Sequence, residues 1–178
     1  MFFPAPFYIC SNFTTMSENT TGQVNKGYIL GVSLLTFILP VAAAAIERVV
    51  HPGVAFSFAL AGKWFIFSAV GLRLFAAGIK QVKDPAFTAK QIFHIEAVEA
   101  LPVVRELGFA NLCFGLVGIL TLWLPQWRIV SAFASGIYYG IAGLQHLVKK
   151  PAGANETFAL ITDLLIFAVL LVYFVLFI

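Results

Sequence analysis

Apolar residues run along this chain in long blocks, and each block is closed by charges or a proline rather than by a regular alternation of polar positions. A helix needs about 20 mostly apolar residues to cross the hydrocarbon core of a bilayer. Five stretches meet that length: 27–46, 54–80, 107–124, 129–147 and 158–178. Glu47, Arg48, His51 and Pro52 end the first. The second carries Lys63 near its start and Arg73 deep inside, Pro125 closes the third, and Lys149, Lys150 and Pro151 close the fourth. The fifth has no charge after Asp163. The expected fold is therefore all-α, a polytopic membrane bundle of about five transmembrane helices. It forms one domain over 27–178, behind a flexible tail over 1–26.

The loop over 81–104 is the one substantial connection. Thr88 and Gln91 stand three apart, the spacing at which a hydroxyl and an amide satisfy each other's backbone N–H groups at a helix start. Ile92, Ile95 and Val98 then recur every third residue, with His94, Glu96 and Glu99 between them. The pattern predicts a short amphipathic helix on the membrane surface between the second and third spans, with those three polar residues as its solvated face. Pro102 would end it and open the third span. At the other end of the chain, 1–9 is apolar but holds Pro4 and Pro6 and no positive charge, so it does not read as a secretory signal. The polar stretch from Met16 resembles an ordinary start, which leaves open whether 1–15 belongs to the mature protein.

Composition agrees with lipid as the solvent. Of 178 residues, 61% are hydrophobic and 11% charged, and the mean hydropathy is +0.95; a soluble domain carries about 25% charge. The net charge of +3 comes from basic residues scattered singly, with no basic stripe for nucleic acid. Their distribution instead orients the bundle. Lys26, Lys80, Lys83, Lys90, Arg105, Lys149 and Lys150 would share one side, against Arg48, Lys63 and Arg128 on the other. This predicts a cytoplasmic N-terminus and an outer C-terminus, in the inner membrane if the source is bacterial. Asn12, Asn19 and Asn155 each begin an N-x-T sequon on the predicted inner side, but so short a motif carries less weight than the charges. Cys10 and Cys113 suggest neither a disulfide framework nor a metal site. Trp64, Trp123 and Trp127 read as interfacial anchors.

Ionisable groups inside a bilayer are costly and tend to face one another. At about 1.5 Å per residue, Arg73 lies roughly 10 Å inside Lys80, Asn111 roughly 13 Å beyond Pro102 and Asp163 roughly 12 Å beyond Asn155. Three helices thus bring a polar residue to one depth, with Gln81, Glu106 and His146 nearer the same surface. Arg73, Ala77 and Gln81 share a face, as do Gly108, Asn111, Gly115 and Gly118, while Ala132, Gly136 and Gly140 have small-xxx-small spacing in the fourth span. The candidate pocket is Arg73, Gln81, Glu106, Asn111, His146 and Asp163. Glu106, His146 and Asp163 are ligand types for a metal, yet lack a diagnostic spacing, so no metal is assigned. Phosphate-cradling loops, CxxCH, HExxH and nucleophile elbows are missing from the sequence, so no catalytic residue is assigned.

The stretch Gly71-Leu72-Arg73-Leu74-Phe75-Ala76-Ala77-Gly78-Ile79-Lys80 resembles the first-helix signature of DoxX-like small integral membrane proteins. Arg105-Glu106-Leu107-Gly108-Phe109-Ala110-Asn111, with Gly115 and Gly118, and Ala142-Gly143-Leu144-Gln145-His146 are similar to a related group. The resemblance covers roughly 65–170. It implies a four-helix bundle with 27–46 as an added helix, an association with membrane redox complexes, and Arg73 and Lys80 as the family's basic positions. It transfers no role to Glu106, Asn111, His146 or Asp163.

Three functions are open at this point. The pocket could seat a quinone head group or a partner in an accessory redox subunit. It could serve a proton-coupled or small-molecule carrier in which Asp163 or Glu106 titrates, although no internal repeat supports that. The buried charges could also only specify helix packing. The implied partners are the bilayer and either another membrane protein or a second copy. No cofactor is evident beyond a quinone.

Overall fold

The structure is a computed structural model and describes residues 24–53 and 55–178; the tail with Cys10, Asn12, Met16 and Asn19 lies outside the described residues. Five long helices and one short one make up the described chain. The first is Lys26–Val50 and the second Phe58–Lys83. A short helix, Pro85–Gln91, precedes the third (Ala100–Leu120), fourth (Trp127–Lys149) and fifth (Ala154–Phe177). Four of the long helices, all but the fourth, are long and apolar enough to cross a membrane. The fourth has 23 residues, about 34 Å at 1.5 Å each. It carries Ser131, Ser135, Tyr139 and His146 on its buried side. Large apolar residues face outward along the helices, including Val41, Phe133, Ile141 and Val175, each at least half exposed. A surface of that kind is stable against lipid.

The first two helices start on side-chain caps. Asn25 caps the first helix by accepting from the Tyr28 N–H at 2.8 Å, and Ser57 caps the second by accepting from the Leu60 N–H at 3.2 Å. An N-cap oxygen satisfies one of the orphan donors of a first turn. Val54 lies outside the described residues, and the second helix starts at Phe58, past the expected 54. The third helix begins at Ala100 rather than 107, with Pro102 accommodated in its first turn, where its missing N–H costs nothing. It ends at Leu120, and the Thr121 hydroxyl donates to the Gly118 carbonyl at 2.7 Å.

The short helix falls earlier than Thr88 and Gln91 suggest. Asp84 is its cap, accepting from the Phe87 N–H at 3.3 Å, and Pro85 is its first residue. Thr88 lies inside the helix, and its carbonyl accepts from both Ile92 and Phe93. Beyond Gln91 the helix stops, and His94 adopts a left-handed φ of 54°. The period of Ile92, Ile95 and Val98 therefore belongs to an irregular strap, not to an amphipathic helix.

Two pairings form the core. The second helix meets the third along a glycine seam, with Gly71 against Gly118 and Gly78 against Gly108; a Cβ on Gly78 would lie 2.7 Å from the Gly108 carbonyl oxygen. The fourth and fifth helices meet where Gly140 faces Phe167 and Gly143 faces Leu164. Ile66, Val70 and Leu74 of the second helix pack with Tyr139, Ile166 and Leu170 to close the centre.

The first and second helices each contain a wide π turn, Leu34–Ile38 and Ile66–Leu72. Pro40, just beyond the first, has no N–H to return to the Thr36 carbonyl. The two wide turns touch: the Ser68 hydroxyl donates to the Leu35 carbonyl at 2.5 Å. Such turns recur at functional sites because they re-aim the residues around them.

Candidate functional site

Arg73 is the first residue after the wide turn of the second helix and is 8% exposed. Its Nη2 donates to Asp163 Oδ1 at 2.7 Å and to Thr162 Oγ1 at 3.0 Å, and Nη1 lies 3.5 Å from Thr36 Oγ1. The guanidinium also sits 5.3 Å from the Tyr139 ring centre, while the Tyr139 hydroxyl donates to the Ala69 carbonyl at 2.9 Å. Asp163 thus neutralises one buried cation, and side chains of the first and fifth helices with the Tyr139 face of the fourth surround it, as an intramembrane charge requires.

Asn111 and Gln81 form a second buried pair. Asn111 Nδ2 donates to Gln81 Oε1 at 2.7 Å, and Asn111 Oδ1 has no hydrogen-bond partner. Both residues, with Arg73, Asp163 and His146, line a cavity of about 510 Å³. Its other walls are apolar and aromatic, including Tyr28, Phe87 and Tyr138. Gly31 of the first helix also lines it, and a Cβ placed there would meet nothing within 4 Å. The cavity is thus the space between the first half of the first helix and the rest of the bundle.

Five of the six candidate residues come together here. Glu106 does not: it is exposed on the third helix. Five residues separate it from Asn111, which places it about 140° around a helix of 3.6 residues per turn. Proximity in depth does not imply a shared face.

His146 has a partner that the sequence reading missed. Its Nδ1 lies 3.2 Å from Glu156 Oε1, and Glu156 is fully buried. Glu156 Oε2 accepts from the Ala152 N–H at 2.9 Å, as an acidic residue in the first turn of a helix can. His94 Nε2 is 3.4 Å and Lys149 Nζ 3.8 Å from the same carboxylate. His94 is therefore half-buried against Glu156 instead of lying on a solvated face. Among the described residues, no three His, Cys, Asp or Glu side chains are grouped to hold a metal ion. Thr36, Thr162 and Tyr139 were missed too, because neutral residues inside apolar runs carry no signal until a partner is known. Asn155 is buried, and its Oδ1 accepts from the Asn25 N–H at 3.0 Å.

A second charged group lies near the other end of the bundle. Lys63 Nζ donates to both Glu47 carboxylate oxygens at 2.7 Å, and Trp64 Nε1 donates to Oε2 at 2.5 Å. Trp64 is thus a clamp between the first two helices. Trp123 is exposed and Trp127 partly so.

Fold and site together define a multi-pass helical membrane protein with a polar-floored cavity between its helices. The chain belongs to a family of unknown function, DUF6790, whose model matches residues 31–178. Comparison with curated proteins and with solved structures gives no match.

Proposed function

We propose that the chain binds a neutral, membrane-soluble molecule with a flat hydrogen-bonding head, a quinone being the model, and acts as an accessory subunit of membrane redox chemistry. The observation that carries this reading is the cavity's chemistry. Arg73 is neutralised by Asp163, and Lys80 by Asp84 at 2.7 Å, so a charged ligand would gain little. Tyr28 and Tyr138 line the cavity and carry hydroxyls that can donate to a quinone carbonyl, the unpartnered Asn111 amide oxygen can accept from a quinol hydroxyl, and about 510 Å³ is ample for the head. The DoxX-like resemblance points the same way. The loop charges favour an N-terminus inside and a C-terminus outside, which puts the cavity in the inner half of the bilayer.

The test is equilibrium binding of a short-chain quinone and its quinol to protein in nanodiscs, compared with Gly31→Leu. The leucine would grow into empty space, so stability should hold while affinity falls at least 10-fold. Equal affinity in the variant, or no binding of either form, overturns the reading.

A further inference from the structure

We propose that residues 92–94 form a lid over the aqueous end of the cavity, latched by Glu156 and Lys149, and that polar solutes reach the cavity only when this latch opens. The inference rests on the cavity being a ligand site and deepens that reading by naming its gate. Ile92 and Phe93 line the cavity. Their backbone N–H groups bond locally, to the Thr88 carbonyl, and the Ile95 N–H bonds to Ala89 at 2.8 Å. Side chains of the fourth and fifth helices supply the rest of the hold. Lys149 Nζ donates to the Phe93 carbonyl at 2.6 Å. The Phe93 ring stacks on His146 with centres 6.5 Å apart. His94 lies 3.4 Å from Glu156, which also faces His146 and Lys149.

The arrangement has the features of a gate. The strap sits between two helices yet has no regular hydrogen-bonded ladder of its own, the condition under which a segment opens locally. Its anchors converge on one buried carboxylate. One of the residues bound to that carboxylate, His146, is also a wall of the cavity, so a ligand touching His146 bears on the latch.

Accessibility can be measured without any ligand. In a Cys10→Ser, Cys113→Ser background, Gly31→Cys places a thiol in the open cavity. A sulfonated maleimide, too polar to arrive through lipid, reports its exposure to water. The latched protein should label at least 10-fold more slowly than a Lys150→Cys surface control. Adding Glu156→Gln should accelerate labelling about 10-fold. Lys149→Met, a change at a half-exposed residue that folding tolerates, should accelerate it severalfold. Equal rates in the latched protein and the surface control overturn the lid. So does an unchanged rate in Lys149→Met, whether or not Glu156→Gln folds. Loss of quinone binding with a working gate would instead count only against the ligand assignment.

Discussion

The second helix has two unlike sides. Toward the third helix it presents Gly71 and Gly78, and the two backbones approach so closely that neither position has room for a Cβ. Toward the first helix it presents Ala77 and Gln81 to a cavity, across which Gly31 faces nothing. Both sides use small residues, yet one use draws helices together and the other leaves room. A glycine stripe is therefore ambiguous until its neighbour is known. Close approach supplies the packing that helices in lipid need in place of a hydrophobic drive. An unfilled face forfeits that gain and is best understood as a place for something else.

Arg73 lies between the two sides, and removing its partner should have the largest effect. Asp163→Leu leaves a buried cation uncompensated and should cost about 3–5 kcal/mol, read by thermal unfolding in detergent. The Arg73→Leu, Asp163→Leu pair should recover most of that loss, and failure to recover would mean that the pair does more than balance charge. Next comes the seam. Gly115→Leu would drive its Cβ into the Phe75 backbone and should cost about 3 kcal/mol, the upper part of the overpacking range. If Gly31→Leu cost as much, the contrast between the two sides would collapse. The Glu47 clamp should matter less: Glu47→Gln breaks a pair whose side chains are 18% and 22% exposed, worth about 1 kcal/mol.

The smallest effect is set by pH. Hydrogen bonding from Lys80 holds the Asp84 carboxyl below the usual range, helped by the Phe87 N–H and opposed by slight burial. Because the folded pKa is the lower one, this contribution is complete above the unfolded value and is lost as pH falls through the folded one. The melting-temperature gap between the native chain and Asp84→Asn should therefore close on acidification. A gap that widened would reverse the sign of the linkage.

Much of this was legible in the sequence because helices in lipid obey simple geometry. Rise per residue alone brought Arg73, Asn111 and Asp163 to one depth, and they line one cavity. Period alone placed Gln81 below Arg73. Depth could not exclude Glu106, since azimuth decides which face a residue shares. Glu156 was invisible for another reason: an acid in a first turn reads as an ordinary cap. The short helix was misplaced because Thr88 competes with Asp84 and Pro85 as a start, and proline's fixed φ decides the contest.

The wide turn before Arg73 has one more consequence, and it concerns phase. An i→i+5 turn spends one residue more than an α turn, so everything beyond it is rotated by about 100° relative to an unbroken helix. Gly62, before the turn, meets Tyr173, and Arg73, after it, meets Asp163; both partners lie on the fifth helix. The extra residue acts as a key cut into the helix. Deleting one residue from Ile66–Leu72 would turn the wide turn back into α-helix and leave Arg73 in phase with its carboxylate, whereas closing the turn with every residue kept would rotate Arg73 away from it by about 100°.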